Sequence, residues 1–208
     1  MTRAVVLVGG GEHGRVVAEA LLMRPDLYRL VGFVDPAECP ETATRLGVHR
    51  LGDDSALAHH VDALAALGVG SVGVSAARRA VVERIGPSVS GWATIVHERA
   101  FVSPSAVLEE GAVVLAGAIV GSGARIGRHV VINTGAVVDH DSVVGDFTQV
   151  GPNATLGGGV KVAEDCYIGL GACVRDHVAI GAGALVAMGS VVTRDVAAGA
   201  RVRGIPAR

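Results

Sequence analysis

The sequence predicts a small α/β unit over residues 1–86, a linker over 87–95 and a parallel coil of six-residue repeats over 96–208. Three observations predict this. From Val96 to Val192 an aliphatic residue occupies every sixth position, seventeen positions in 97 residues without an insertion. Four residues after each aliphatic comes a small or β-branched side chain, from Ala100 through Ala136, Ser142 and Thr148 to Val196. The N-terminus reads as a strand, a glycine turn and an amphipathic helix.

Residues 4–8 (AVVLV) have the continuous apolar character of a buried parallel strand. Gly9-Gly10-Gly11-Glu12-His13-Gly14 forms the turn, and RVVAEALLM carries a helical period. LVGFVD reads as a second strand ending at Asp35, and helical pattern returns near Ser55–Leu67. SVGVS (71–75) is the expected third strand and ARRAVVERI a further helix. Strands alternating with helices imply a parallel sheet. Gly9, Gly11 and Gly14 match the dinucleotide fingerprint, with Asp35 about twenty residues on. The unit is long enough for only half of a doubly wound sheet. What carries over is narrower: amides of a glycine turn at a helix N-terminus bind the phosphate of any nucleotide.

GPSVSGWAT (86–94) concentrates Gly, Pro and Ser and is the expected linker. Beyond it, a period of six belongs to neither a helix nor an ordinary strand. Each hexapeptide supplies one short strand with a buried aliphatic and one tight corner. Glycine often follows the aliphatic (Gly121, Gly127, Gly145, Gly151, Gly157, Gly169, Gly181), and the expected reason is the backbone freedom a turn needs. Three hexapeptides close a triangular coil, and successive coils bury their aliphatics on one another.

The composition fits a thin prism: 30 glycines, 3% aromatics, and Lys161 as the sole lysine. A net charge of -2 provides no basic field for nucleic acid or anionic lipid. Apolar runs fall short of the ~20 residues a spanning helix needs. No signal-peptide pattern opens the chain. Cys39, Cys166 and Cys173 form no C-x-x-C pair and are expected as reduced thiols of a cytoplasmic protein.

The repeats are scaffold, so chemistry is sought where polar residues interrupt them. His140 falls two positions after the inward Val138, at an outward corner between Asp139 and Asp141. A carboxylate bonded to one imidazole nitrogen fixes the tautomer and makes the other nitrogen more basic, as a general base requires. His129 and His177 are expected at the surface of other corners, and His59 and His60 on an exposed helix. No triple-histidine spacing for zinc is present, so no metal is expected. Cys166 sits at a small-residue position and reads as structural.

The GGGEHG turn, IVHERAFVSPSA, INTGAVVDHDSVVGDF and the terminal GSVVTRDVAAGARVRGIPAR together resemble the bacterial nucleotide-sugar N-acetyltransferases. The resemblance is to enzymes of bacillosamine and perosamine type, with their sialic acid O-acetyltransferase relatives, and spans essentially the whole chain. It implies a left-handed coil, an exception to the usual right-handed crossover. It also implies a homotrimer with active sites between subunits, acetyl-CoA as co-substrate and a nucleotide-linked 4-amino-4,6-dideoxy sugar as acceptor. Matching positions make His140 the base, tuned by Asp141. Gly11, Glu12, His13, Asp35, Pro36 and Asn133 are matched to substrate, and Gln149, Gly158, Leu170 and Met188 to CoA. The C-terminal tail closes the CoA groove. Two departures stand out: Gln149 replaces a second histidine of some members, and Ser75-Ala76-Ala77-Arg78-Arg79 replaces a Gly-Asp/Asn-Asn segment. O-acetylation of a sialic-acid-type sugar and non-catalytic nucleotide-sugar binding are the alternatives.

Overall fold

The computed structural model describes residues 2–38, 45–70, 73 and 76–208. The expected Cys39 thiol lies outside them, as do Ser75 and, apart from Gly73, the strand expected over 71–75. The described chain forms two compact units, the first closing at Glu98 and the second spanning Arg99–Arg208.

The first unit runs β1 (Arg3–Val8), α1 (Glu12–Leu22), β2 (Tyr28–Val34), β3 (Arg50–Gly52), a 3-10 turn (Asp54–His59), β4 (Leu64–Leu67) and α2 (Ala76–Ile85). The sheet order is β3-β2-β1-β4, with every pair parallel. Val5 to Val8 of central β1 are buried, which is why that strand is uniformly apolar. α1 turns Val17, Ala18 and Leu21 inward at helical spacing.

The helix expected over Ser55–Leu67 is not formed. Asp53 caps only the short 3-10 turn, accepting the Ser55 amide at 2.9 Å, and the chain then straightens into β4. Ala and Leu favour a helix, but the free edge of β1 needs a strand partner, and pairing with Leu64–Leu67 overrides propensity. LAAL (Leu64–Leu67) pairs with β1, and the short β3 adds an edge strand that sequence pattern does not reveal. Residues 87–95 are not a solvated linker either. Trp92 is buried in the first unit's core, and the Ala93 amide donates to Ala65 O at 2.8 Å, so the chain runs alongside β4.

The second unit is a left-handed parallel β-helix of two-residue strands. Its inward aliphatics stack in three columns. One runs Val102, Val120, Val138, Leu156, Val174, Val192. A second runs Leu108, Ile126, Val144, Val162, Ile180. A third runs Val114, Ile132, Val150, Ile168, Val186, Val202. Where the small repeat position is polar, its side chain bonds inside the corner. Ser142 Oγ donates to Gly157 O (2.9 Å), Thr148 Oγ1 to Ala163 O (2.8 Å) and Cys166 Sγ to Gly181 O (3.1 Å). Burial pushes the Cys166 thiol up, consistent with a packing role.

The glycines after the aliphatics serve a different purpose from the one expected. None of these seven has a positive φ; each lies where a Cβ would strike the next coil, as at Gly157, whose Cβ would stand 2.7 Å from the Asp176 amide nitrogen. The left-handed residue of each corner lies two positions later, at Asp141 (φ 58) and Gly159 (φ 68) for example. The six-residue beat ends with a shortened corner: Ile180 is followed in its column by Val196, sixteen residues on instead of eighteen. Asp195 Oδ1 accepts the Ala179 amide at 2.8 Å there, taking the place of a ladder carbonyl.

Gly157→Ala is expected to destabilise the coil by about 1–3 kcal/mol through this clash, read as a lowered urea midpoint.

Candidate active site

The corner at His140 is built by stacking. Asp141 N donates to Ser122 O at 2.8 Å, and Gly159 N donates to His140 O at 2.8 Å, so His140 lies between the Ser122 and Gly158 corners. His140 Nδ1 lies 2.9 Å from Asp141 Oδ2, and the Asp139 carboxylate accepts the His140 amide at 2.7 Å. The bond to Asp141, and then the charge of Asp139, raise the His140 pKa above its ordinary value. The His140 side chain is 57% exposed. With Nδ1 facing Asp141, Nε2 is the nitrogen left for chemistry. Gly158 keeps the space beside it open, since a Cβ there would stand 2.5 Å from Nε2.

The other coil positions are elsewhere. Leu170 and Met188 are exposed and stack on a neighbouring edge, where Gly189 N donates to Leu170 O. Asn133 is half-buried beside that edge, its Oδ1 accepting the Thr134 amide at 2.8 Å. That edge lies six residues from His140 along the chain, at most about 20 Å away. Gln149 is buried on a further face, paired with Val131 and Tyr167. Of the coil positions matched to substrate or CoA, then, Gly158 is the one that adjoins His140 within one chain. His177 is exposed, but His129 is not the surface residue expected: it is buried and stacks on Phe147, with ring centroids 4.9 Å apart.

In the first unit the glycine turn is braced by Asp35. Its Oδ2 accepts the Gly10 amide (2.8 Å) and its Oδ1 the Ala37 amide (2.9 Å), while Arg50 donates to its carbonyl. Gly14 is obligatory, because a Cβ would run into Gly9 O. Gly11, Glu12 and Pro36 are exposed. His13 packs its Cβ against Gly70, and its Nε2 is enclosed with no hydrogen-bond partner among the described residues. Burial, and then the positive charge of Arg78, push its pKa down to about 4. Arg78 is fully buried on α2; the sequence marks it only within the departing segment 75–79, and nothing in the helical pattern distinguishes it from half-buried Arg79.

Because the folded state holds His13 neutral and the unfolded chain protonates it near pH 6.5, its contribution to stability is complete above pH 6.5. It is lost as pH falls toward 4. Urea midpoints measured across that window should fall in the wild type and fall less in His13→Gln.

Among the described residues, no helix is long and apolar enough to cross a membrane. Nor is any group of three or more His, Cys, Asp and Glu side chains arranged to hold a metal ion. Residues 4–85 match the family of the PglD N-terminal domain. The acetyltransferase domain of PglB from Neisseria gonorrhoeae FA1090, solved with acetyl coenzyme A, is 31% identical with a TM-score of 0.89. The match covers 100% of this chain and 99% of that one. PerB from Caulobacter crescentus, solved with CoA and GDP-perosamine, is 34% identical with a TM-score of 0.87, over 99% of this chain and 96% of that one. Matches of this identity over whole chains, through both the glycine-turn unit and the coil, place the chain in the hexapeptide-repeat family of nucleotide-sugar N-acetyltransferases.

Proposed function

We propose that the protein transfers the acetyl group of acetyl-CoA to the amine of a nucleotide-linked 4-amino-4,6-dideoxy sugar, with His140 as general base. The observation that carries this reading is the His140–Asp141 pair at an exposed corner, with Nε2 left open beside Gly158. The relatives support the ligand classes: PglB's domain was solved with acetyl coenzyme A and PerB with CoA and GDP-perosamine. Gly11, Glu12, His13, Asp35 and Pro36 are assigned to the nucleotide side, with Asn133. Gln149, Gly158, Leu170 and Met188 are assigned to CoA.

In this mechanism the sugar amine attacks the thioester carbonyl carbon. The N–C bond forms as His140 Nε2 takes the proton leaving the nitrogen. Asp141 and Asp139 stabilise the imidazolium, the effect that raises the pKa in the free protein. Corner amides stabilise the oxyanion. The C–S bond then breaks, and His140 returns the proton to the departing thiolate. No covalent enzyme intermediate is needed.

We infer a homotrimer, since the assigned CoA edge and the His140 edge are separate within one chain and a neighbouring copy brings them together. The face between those edges supports this: its outward column is Phe101, Ile119, Val137, Thr155, Cys173 and Val191, which carries no charge. We also infer a cytoplasmic location.

Thiol release from acetyl-CoA across UDP-, GDP- and dTDP-linked 4-amino sugars tests the reaction, and a base-stable amide product distinguishes it from O-acetylation. No release with any amino sugar overturns it. His140→Ala should lose on the order of 10²–10⁴-fold in turnover with an unchanged urea midpoint. Asp141→Asn removes the anion that favours the imidazolium, so the acid limb of kcat/KM should move to lower pH. Light scattering should give three times the chain mass, and Ile119→Arg should lower it.

A further inference from the structure

The corner after His140 on the same edge is Gly157-Gly158-Gly159, and a second histidine closes on it from the far side. Val138, Leu156 and Val174 stack in one column. His140, Gly158 and Asp176 therefore take the same place in successive corners, and Asp141, Gly159 and His177 take the next place. Gly159 N donates to His140 O at 2.8 Å, and His177 N donates to Gly158 O at 2.9 Å. The glycine pair is thus bonded to one histidine on each side, and both rings lean toward it. A Cβ at Gly158 would stand 2.5 Å from His140 Nε2, and one at Gly159 would stand 2.5 Å from His177 Nδ1. The two Cα atoms are about 3.8 Å apart, so a nitrogen or a water seated over the pair meets an imidazole from each neighbouring coil.

His177 is exposed, and among the described residues its ring makes no hydrogen bond or ion pair. It holds the left-handed place of its corner at φ 59, where glycine would sit at less cost. The charged groups about it are Arg175 and Asp176 on its own corner, Arg194 and Asp195 on the next, and His140 and Asp141 across the glycines. Asp195 Oδ1 is engaged by the Ala179 amide.

The proton balance of acetyl transfer gives this imidazole a task. An amine beside electron-withdrawing carbons has a pKa of about 8, the range of an α-amino group. At neutral pH the acceptor therefore arrives mostly as its ammonium. The balanced reaction is R–NH3+ plus acetyl-S-CoA, giving R–NH–acetyl, CoA-SH and H+. The proton that His140 takes during attack goes back to the departing thiolate. The proton that the ammonium loses first has no carrier in that cycle.

We propose that His177 is that carrier: it takes the first proton from the ammonium nitrogen over the Gly158–Gly159 pair and releases it to water. The inference rests on the acetyl-transfer reading. The N–H bond of the ammonium breaks, an N–H bond forms on the imidazole, and the neutral amine is left to attack beside His140.

Thiol-release kinetics from pH 6.5 to 9.5 test this, using the nucleotide-linked 4-amino sugar that reacts fastest with the wild type. The variant is His177→Asn, because Asn tolerates the left-handed corner and carries no proton. Without the carrier the ammonium must lose its proton to solvent before attack. The wild-type advantage in kcat/KM should be about tenfold at pH 7, about twofold at pH 8 and near one at pH 9. Added imidazole should restore the variant at pH 7, and the urea midpoint should be unchanged. An advantage that is the same at every pH marks a merely structural role and overturns the proposal, as does no advantage at pH 7. A wild type that releases no thiol with any amino sugar overturns the acetyl-transfer reading itself.

Discussion

Everything in the coil depends on one constraint: up to Val192, each inward aliphatic must sit directly above its counterpart eighteen residues earlier. The parallel rungs fix the spacing of the coils at about 4.8 Å. The columns of Val, Leu and Ile exclude water from the interior at that spacing. The glycines after the aliphatics follow from the same spacing, because a Cβ there would strike the next coil's backbone. So do the small residues at the corners, whose hydroxyl or thiol, when present, closes a bond to a carbonyl on the next coil.

The same stacking makes the His140 corner a rigid platform. His140 is exposed, yet its backbone is bonded above and below through neighbouring corners, and its imidazole is held by Asp141. A left-handed conformation at Asp141 aims that carboxylate back at the ring, and Asp is among the few residues that tolerate it. The glycine at 158 is equally positional: it is the next corner along the same edge, and its lack of a side chain leaves Nε2 accessible.

The first unit solves a different problem. Its glycine turn is held by tight backbone approach at Gly9 and Gly14 and by the Asp35 carboxylate, which accepts two amides of its own chain. Asp35 therefore braces the turn whatever it also binds. His13 and Arg78 form the unit's most unusual pair: a cation fully buried near an imidazole that burial keeps neutral.

The sequence by itself determined the coil, its register and the outward position of His140, because a period of six with no insertion admits one stacking. It also determined β1, α1, β2 and α2 to within a few residues. It did not determine β4, where an Ala- and Leu-rich segment reads as helix until the open edge of β1 is present to pair with it. His129 reads as a surface corner until Phe147, eighteen residues later, is stacked on it. The shortened corner at Asp195 was likewise invisible, because a two-residue slip breaks the count that made the rest legible. In each case the deciding interaction joins residues far apart in the chain, and only the folded structure supplies the partner.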